Sequence, residues 1–361
     1  MNRIRILVDS LADADLINSQ MGNAREIMSR LDPARFHVST FVVGQPDPRL
    51  AGRPETRLIP LPRRLQTLTV FREYMIGRHR IVFYLKGSPA SKAYLRLRRT
   101  LLDRRIVIGM VESQCDYYNE PTITPEGIRF WEETILRSDV LFSNSLAVQA
   151  SLKKEYGRAS DVVPTGVDTK FFTPAWDRPT NQRLRVLFVG ALRPFKGPQL
   201  LVHAAARFPD VDFAIIGEGV MANDLKAQIQ TEHLSNVSLL GTFKPAGLRE
   251  QYRQSDIFLF PSCWEGSPKV ILEASACGLP ILARKDYRPE TVLDGETGYL
   301  AGSDEELLER LGQLIADREL RYAMGRAARA YIERFDWDFI THRWEEIFVK
   351  LAAERGRVRA E

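Results

Sequence analysis

Apolar residues along this chain come in short runs separated by stretches with helical spacing. Runs at 4–8, 38–43, 81–85, 106–111 and 140–143 predict strands in the first half. Runs at 186–189, 213–216, 237–240, 257–260 and 280–283 predict strands in the second. Several are apolar at nearly every position, as strands covered on both faces must be. Helical spacing fills the intervals 22–31, 125–138, 145–156, 197–207, 221–233, 246–254 and 269–277. Beyond 304 the chain reads as wholly helical, ending in an apolar-striped helix over about 337–352. Strand and helix alternate twice over, which specifies an α/β chain with two parallel sheets, each covered by helices. The polar, proline-bearing stretch Phe172-Thr173-Pro174 through Pro179-Thr180-Asn181 reads as the link between them.

The 361 residues suit two domains, and 44% apolar with 27% charged residues excludes a disordered or fibrous chain. No run approaches the length of a membrane span, and the first residues read as a strand and not as a secretory signal. Three scattered cysteines (Cys115, Cys263, Cys277) predict neither a disulfide framework nor a zinc site. The expected compartment is cytoplasmic. The net charge of +5 is uneven. Residues 57–105 hold thirteen Lys or Arg against Glu73 and Asp103, so this segment is +11 and the remainder −6. Such a field attracts phosphates, nucleic acid or an anionic membrane.

The densest chemical signal is Phe260-Pro261-Ser262-Cys263-Trp264-Glu265-Gly266-Ser267-Pro268-Lys269-Val270-Ile271-Leu272-Glu273. A buried strand ends, a loop follows, and Pro268 suits a first helical turn. That helix start lies at the carboxyl edge of a parallel sheet, where open α/β folds bind ligands and where free amides favour a phosphate. Glu273 sits among Val270, Ile271, Leu272 and Ala274. It either faces solvent on a surface stripe or needs donors such as ribose hydroxyls. A second loop, Gly190-Ala191-Leu192-Arg193-Pro194-Phe195-Lys196-Gly197, places two cations three residues apart, the chemistry of a diphosphate clamp or of a solvated basic loop. Gly217-Glu218-Gly219 and Gly241-Thr242-Phe243-Lys244 follow the next two strands.

Taken together, these motifs resemble the retaining glycosyltransferases of family 4. The shared features are Glu265-x7-Glu273 continued by Ala274 to Pro280, Pro164-Thr165-Gly166-Val167-Asp168, the Gly190–Gly197 loop, Glu290 to Leu300, and Phe335-Asp336-Trp337. The resemblance implies a GT-B architecture of two Rossmann-like domains facing across a cleft. Its parts would be an acceptor domain at 1–172, a nucleotide-sugar domain at 182–335, and a helix at 336–352 packing back on the N-terminal domain. It implies that Arg193 and Lys196 hold the donor diphosphate, that Glu273 binds the ribose, and that Phe243 and Lys244 frame the base. Glu265, with Gly266, Ser267, Pro268, Lys269 and Val270, would hold the sugar; Gly190 and Gly217 shape the crevice. Gly22 and Asn23 would approach the diphosphate and acceptor. Many members carry a histidine just past the strand matching 106–111; here Glu112 stands at or beside that place, contacting donor or acceptor or simply ending a strand. Glu265 and Glu112 are thus the catalytic candidates.

The implied reaction moves a sugar from a UDP- or GDP-linked donor to a glycan or lipid-linked acceptor, with configuration retained, in cell-envelope glycan assembly. Protein-borne positive charge would meet the leaving phosphate, so neither metal nor cofactor is expected. The basic region, notably the cationic amphipathic stretch 91–102, would attach the protein to an anionic membrane surface. Its aromatics follow core spacing, which speaks against nucleic acid. A nucleotide-sugar epimerase sharing the architecture is the alternative reading.

Overall fold

A computed structural model describes residues 3–14, 19–115, 124–177 and 183–357. The chain divides into two compact units, residues 1–165 with 337–361, and residues 166–336.

The first unit is built on a seven-stranded parallel sheet in the order β3-β2-β1-β4-β5-β6-β7. The strands are β1 (Ile4–Leu11), β2 (Phe36–Val42), β3 (Thr56–Pro60), β4 (Ile81–Phe83), β5 (Ile106–Val111), β6 (Val140–Ser143) and β7 (Asp161–Val162). The helices are α1 (Ser19–Arg30), α2 (Pro48–Ala51), α3 (Gln66–Ile76), α4 (Pro89–Thr100), α5 (Pro125–Thr134) and α6 (Leu146–Tyr156). One face packs Ile6, Val8, Ile81, Phe83, Ile106 and Ile108 against Trp337, Ile340, Trp344 and Phe348 of the last helix. That helix, Trp337–Arg357, thus belongs to the first unit, as its apolar stripe requires. The other face packs Leu7, Phe41 and Val82 under α3 and α4 through Tyr74 and Tyr94, whose rings stack at 4.9 Å.

The second unit has six parallel strands in the order β10-β9-β8-β11-β12-β13. They are β8 (Arg185–Val189), β9 (Asp212–Ile216), β10 (Val237–Leu239), β11 (Ile257–Phe260), β12 (Ile281–Arg284) and β13 (Gly298–Ala301). Helices α7 (Gln199–Arg207), α8 (Ala222–Thr231), α9 (Pro245–Arg253), α10 (Lys269–Ala276), α11 (Asp304–Ala316) and α12 (Arg318–Ile332) cover it; the last helix of the chain is α13. Both units are therefore Rossmann-like, with the strand order reversing beside β1 and beside β8. Phe172 lies in this unit's core, and Trp176 covers Gly278. Residues 166–177 are thus part of the second unit, and the link falls ahead of the proline-bearing stretch. The segment 178–182 of that stretch lies outside the described residues.

Among the described residues no helix is long and apolar enough to cross a membrane. The basic segment is less exposed than its charge suggests. Arg98 is only 8% exposed and binds Asp139 at 3.0 Å, and Arg105 binds Asp103 and the last carbonyls of α3. Within the cationic amphipathic stretch 91–102, Arg98 spans the gap between α4 and the sheet and is not part of the outer charge. Arg96, Leu97, Arg99, Thr100, Leu101 and Leu102 are the exposed members.

Candidate functional site in the second unit and a polar cluster in the first

In the second unit the order reverses between β8 and β11, which pair through Val186–Ile257 and Leu187–Phe258. The loops after these two strands are therefore neighbours, at the position where doubly wound sheets bind ligands. The β8 loop makes one 3-10 turn, Pro194–Lys196, and closes on Gly197 in the left-handed region (φ 67°). A Cβ there would sit 3.0 Å from the Pro261 ring, so glycine lets the loops touch. The Cys263 amide donates to the Phe195 carbonyl at 2.9 Å, and the Phe195 and Trp264 rings stack at 6.2 Å.

Across this seam the Lys196 ammonium binds the Glu265 carboxylate, with the two side chains 18% and 11% exposed. The same carboxylate oxygen accepts from Ser262 Oγ at 2.6 Å. The Lys196 ammonium also lies 5.4 Å from the ring centroids of Phe195 and Phe260, whose π-faces favour a cation. Glu265 is thereby fixed in direction. Tyr287, just past β12, is fully buried, and its hydroxyl has no hydrogen-bond partner among the described residues. Burial, then the Glu265 charge, push its phenol well above the usual 10. It is a neutral hydroxyl group in the electrostatic field of Glu265. Arg193 is exposed on the same loop.

Glu273 is partly covered on α10 and accepts from the Tyr252 hydroxyl at 2.9 Å. Tyr252 is held between Phe172 and Phe258. Burial pushes the Glu273 carboxyl up to about 7, against the opposing pull of the Tyr252 hydroxyl and the Lys269 charge. Gly266, Ser267, Lys269 and Val270 are half-buried and Pro268 is buried. No side chain caps the start of α10, and the Ile271 amide donates to the Pro268 carbonyl at 3.1 Å.

The loops after β8, β9 and β10 are stitched together by backbone. Gly190 N donates to Ile216 O at 3.0 Å and Gly217 N to Gly241 O at 2.8 Å. Gly217 (φ 144°) leaves no room for a side chain, since a Cβ would lie 1.8 Å from the Gly190 carbonyl oxygen. Phe243 (37% exposed) and Lys244 stand exposed where the β10 loop enters α9.

In the first unit, a polar cluster forms at the carboxyl ends of β4, β5 and β6. Glu112 accepts from Asn23 Nδ2 at 2.9 Å and from the Tyr84 hydroxyl at 2.5 Å, while Asn144 Nδ2 donates to the Glu112 carbonyl at 3.1 Å. Asn23 is buried on α1 and Gly22 precedes it, half-buried. Tyr84 adopts a left-handed backbone (φ 60°), an uncommon conformation for a bulky residue. Nearby in the fold, Asp9 on β1 accepts from the Tyr74 hydroxyl at 2.5 Å and the Lys86 amide at 2.7 Å. Burial raises the Asp9 carboxyl and lowers the Lys86 ammonium.

Reading motifs left several of these residues unnoticed: Ser262, Tyr252, Tyr287, Tyr84, Asn144, Asp9 and Lys86. Ser262 sat inside a quoted motif. Each of the others lies within three residues of a strand end or inside a helix, where a tyrosine or asparagine reads as ordinary packing. The chain also spells Asp13-Ala14-Asp15, a D-x-D pattern of which Asp15 lies outside the described residues. Asp13 itself is buried and accepts from the Val43 amide at 3.1 Å.

This fold is shared with solved glycosyltransferases. Sucrose-phosphate synthase from Thermosynechococcus elongatus aligns over 98% of this chain and 100% of its own, with TM-score 0.77 and 19% identity. Anabaena HepE, solved in complex with UDP, aligns over 97% and 100% with TM-score 0.76 and 18% identity. The lipopolysaccharide outer core galactosyltransferase WaaB aligns over 96% and 100% with TM-score 0.69 and 17% identity. At such identities the likeness is one of fold, the GT-B fold.

Residues 174–331 match the family of glycosyl transferases group 1. In sequence the chain is 33% identical over 263 residues to D-inositol 3-phosphate glycosyltransferase of Corynebacterium jeikeium (64% of this chain, 63% of that protein). It is 33% identical over 222 residues to the enzyme of that name from an Arthrobacter species (55% and 52%). The chain thus spans less than two thirds of the length of these curated relatives.

Proposed function

We propose that this protein is a retaining glycosyltransferase of family 4, transferring a sugar from a nucleotide diphosphate sugar to an acceptor hydroxyl. The observation that carries the reading is the Lys196–Glu265–Ser262 constellation, on two touching loops at the strand-order reversal and beside the uncapped start of α10. Breaking a bond between sugar and phosphate leaves negative charge on the phosphate and positive charge on the ring. Arg193 and the first α10 amides would receive the negative charge as preorganised donors. Glu265, held in place by Lys196 and Ser262, would face the sugar. Glu273 would accept from ribose hydroxyls, and Phe243 with Lys244 would border the base. Uridine is the favoured base, since HepE was solved with UDP and with UDP-glucose. Glu112, with Asn23 and Tyr84, would meet the acceptor or donor sugar from the first unit.

A thermal-shift screen with UDP, GDP and ADP and their sugars tests this reading. Stabilisation by one nucleotide class, lost in Glu273→Ala, is the expected result. No shift with any of them, or a full shift in Glu273→Ala, overturns it.

The acceptor is proposed to be a glycan or a lipid-linked carrier of the cell envelope, reached from an anionic membrane. Leu65, Leu68 and Ile76 at α3 and Leu97, Leu101 and Leu102 at α4 are exposed, with Arg63, Arg64 and Arg99 exposed in the same region. Apolar side chains interleaved with arginines suit an interfacial surface, and each arginine adds roughly 1 kcal/mol near anionic lipid. Flotation with phosphatidylglycerol vesicles should fall when Arg64 and Arg99 become Glu. Unchanged flotation removes the membrane from the proposal.

A further inference from the structure

A second cationic site lies at the opposite, amino edge of the first unit's sheet. A cavity of about 260 Å³ opens between the first residues of β1, β2 and β3 and the end of α3. Strand register puts Arg5 opposite His37 and Ser39 opposite Arg57, so these four side chains share one face. Arg72, Arg78 and His79 close the other side.

Four arginines line this space against one carboxylate, Glu73. Glu73 is already neutralised, since Arg57 grips it with two bonds of 3.1 and 3.0 Å and Arg72 stands at 3.5 Å. Arg5 and Arg78 form no ion pair or side-chain hydrogen bond among the described residues; the charge of Glu55, which holds His37 at 3.2 Å, reaches Arg5, so Arg78 is the less compensated of the two. The carbonyl end of α3, which would repel an anion, is covered from behind: Arg105 donates to Met75 O at 3.1 Å and Gly77 O at 3.3 Å.

The walls also hold polar groups that lack partners. Ser39 is 0% exposed, and its hydroxyl bonds to nothing among the described residues. His79 has a 4% exposed side chain, and neither ring nitrogen makes a hydrogen bond; the nearer carboxylate oxygen of Glu73 is 3.5 Å away. Burial lowers His79 to about 4, so its ring is neutral near pH 7 and keeps one N–H to donate. Buried donors without acceptors are rare and costly unless something fills the space.

We propose that this pocket binds a phosphate group, with oxygens accepting from Ser39, His79, Arg5 and Arg78. Donors converge from a sheet face, a helix end and a loop, which suits a tetrahedral anion better than a flat carboxylate. The volume is below the ~300 Å³ at which small-molecule sites begin, so a phosphate or small monoester fits and a nucleotide sugar does not. The site lies within one unit and does not depend on the nucleotide crevice.

The test is calorimetric titration of the full chain with inorganic phosphate and with glycerol 3-phosphate, with UDP present throughout. Saturable binding is expected, weakened at least about tenfold in an Arg5→Ser/Arg78→Ser double variant and also weakened in Ser39→Ala, but unchanged in Glu273→Ala. Both arginines are exposed and unpaired, so the double variant should keep its fold, as its melting curve will show. A parallel flotation arm compares phosphatidate with phosphatidylcholine vesicles. Capture by phosphatidate that the double variant loses identifies a lipid headgroup as the source; saturation by soluble phosphate without capture identifies a free phosphate. No saturable binding in either arm, or equal binding by the double variant, overturns the proposal.

Discussion

Replacing Glu273 by glutamine should strengthen the folded protein at high pH while weakening its hold on a nucleotide. The carboxyl is pushed from 4.5 up to about 7, mainly by burial. A group raised on folding contributes its full stability below the unfolded value, and that stability is lost as pH rises through the folded one. Between 4.5 and about 7 the folded state therefore loses up to ~3 kcal/mol, because it must surrender a proton it prefers to keep. Glutamine cannot ionise, and its amide oxygen can still accept from the Tyr252 hydroxyl. The variant's advantage should grow by ~2 kcal/mol between about pH 5.5 and about pH 8, or less where solvent reaches the group. For a unit the size of 166–336 that is ~4–8 °C in Tm. Melting curves of both proteins at the two pH values, without nucleotide, read this directly. A Tm difference that stays constant with pH, or a variant less stable at about pH 8, would refute burial as the cause. A nucleotide-induced shift that survives in the variant would separately remove Glu273 from the ribose.

Three further outcomes follow from the packing and charge. Gly217→Ala forces a Cβ to within 1.8 Å of a carbonyl oxygen and should cost more than ~3 kcal/mol, whereas Gly295→Ala, in open space at φ 78°, should cost only ~1 kcal/mol; urea titrations compare them. Lys196→Met removes the cation that fixes Glu265 and should lower turnover ~10²–10³-fold, read by sugar release from UDP-sugars. Arg98→Ala removes the cation paired with Asp139, which keeps the Val107 amide at 2.8 Å, and should cost ~2 kcal/mol, while Arg99→Ala, on the exposed face, should stay within ~0.5 kcal/mol by thermal melts.

The alternation of apolar runs was readable because most strands are buried on both faces. The strands at 106–111, 140–143 and 257–260 fall where their apolar runs predict. Three strands, Thr56–Pro60, Asp161–Val162 and Gly298–Ala301, escaped it. Each lies at or next to a sheet edge, is short, and mixes polar with apolar residues, so no run announces it. In the site, Lys196 and Glu265 were legible because their loops carry distinctive spellings. The bond between them was not, since it depends on β8 and β11 being neighbours despite the 69 residues between the two side chains. Tyr252 and Tyr287 were hidden for a different reason. A tyrosine on an apolar stripe looks like core until its hydroxyl is seen to reach Glu273, or to reach nothing.

The second unit begins and ends at the same place. Val167 donates its amide to Phe335 O at 2.9 Å, and Asp336 accepts from the Thr169 amide and hydroxyl at 3.1 and 2.5 Å. Its two chain ends are clasped together, while the first unit is interrupted in sequence yet uninterrupted in its sheet. Residues 166–336 therefore form a self-sealed cassette. Exchanging it for a relative's would mean two cuts a few ångströms apart, with no strand of the host sheet severed, a route by which one host sheet could acquire a different partner unit.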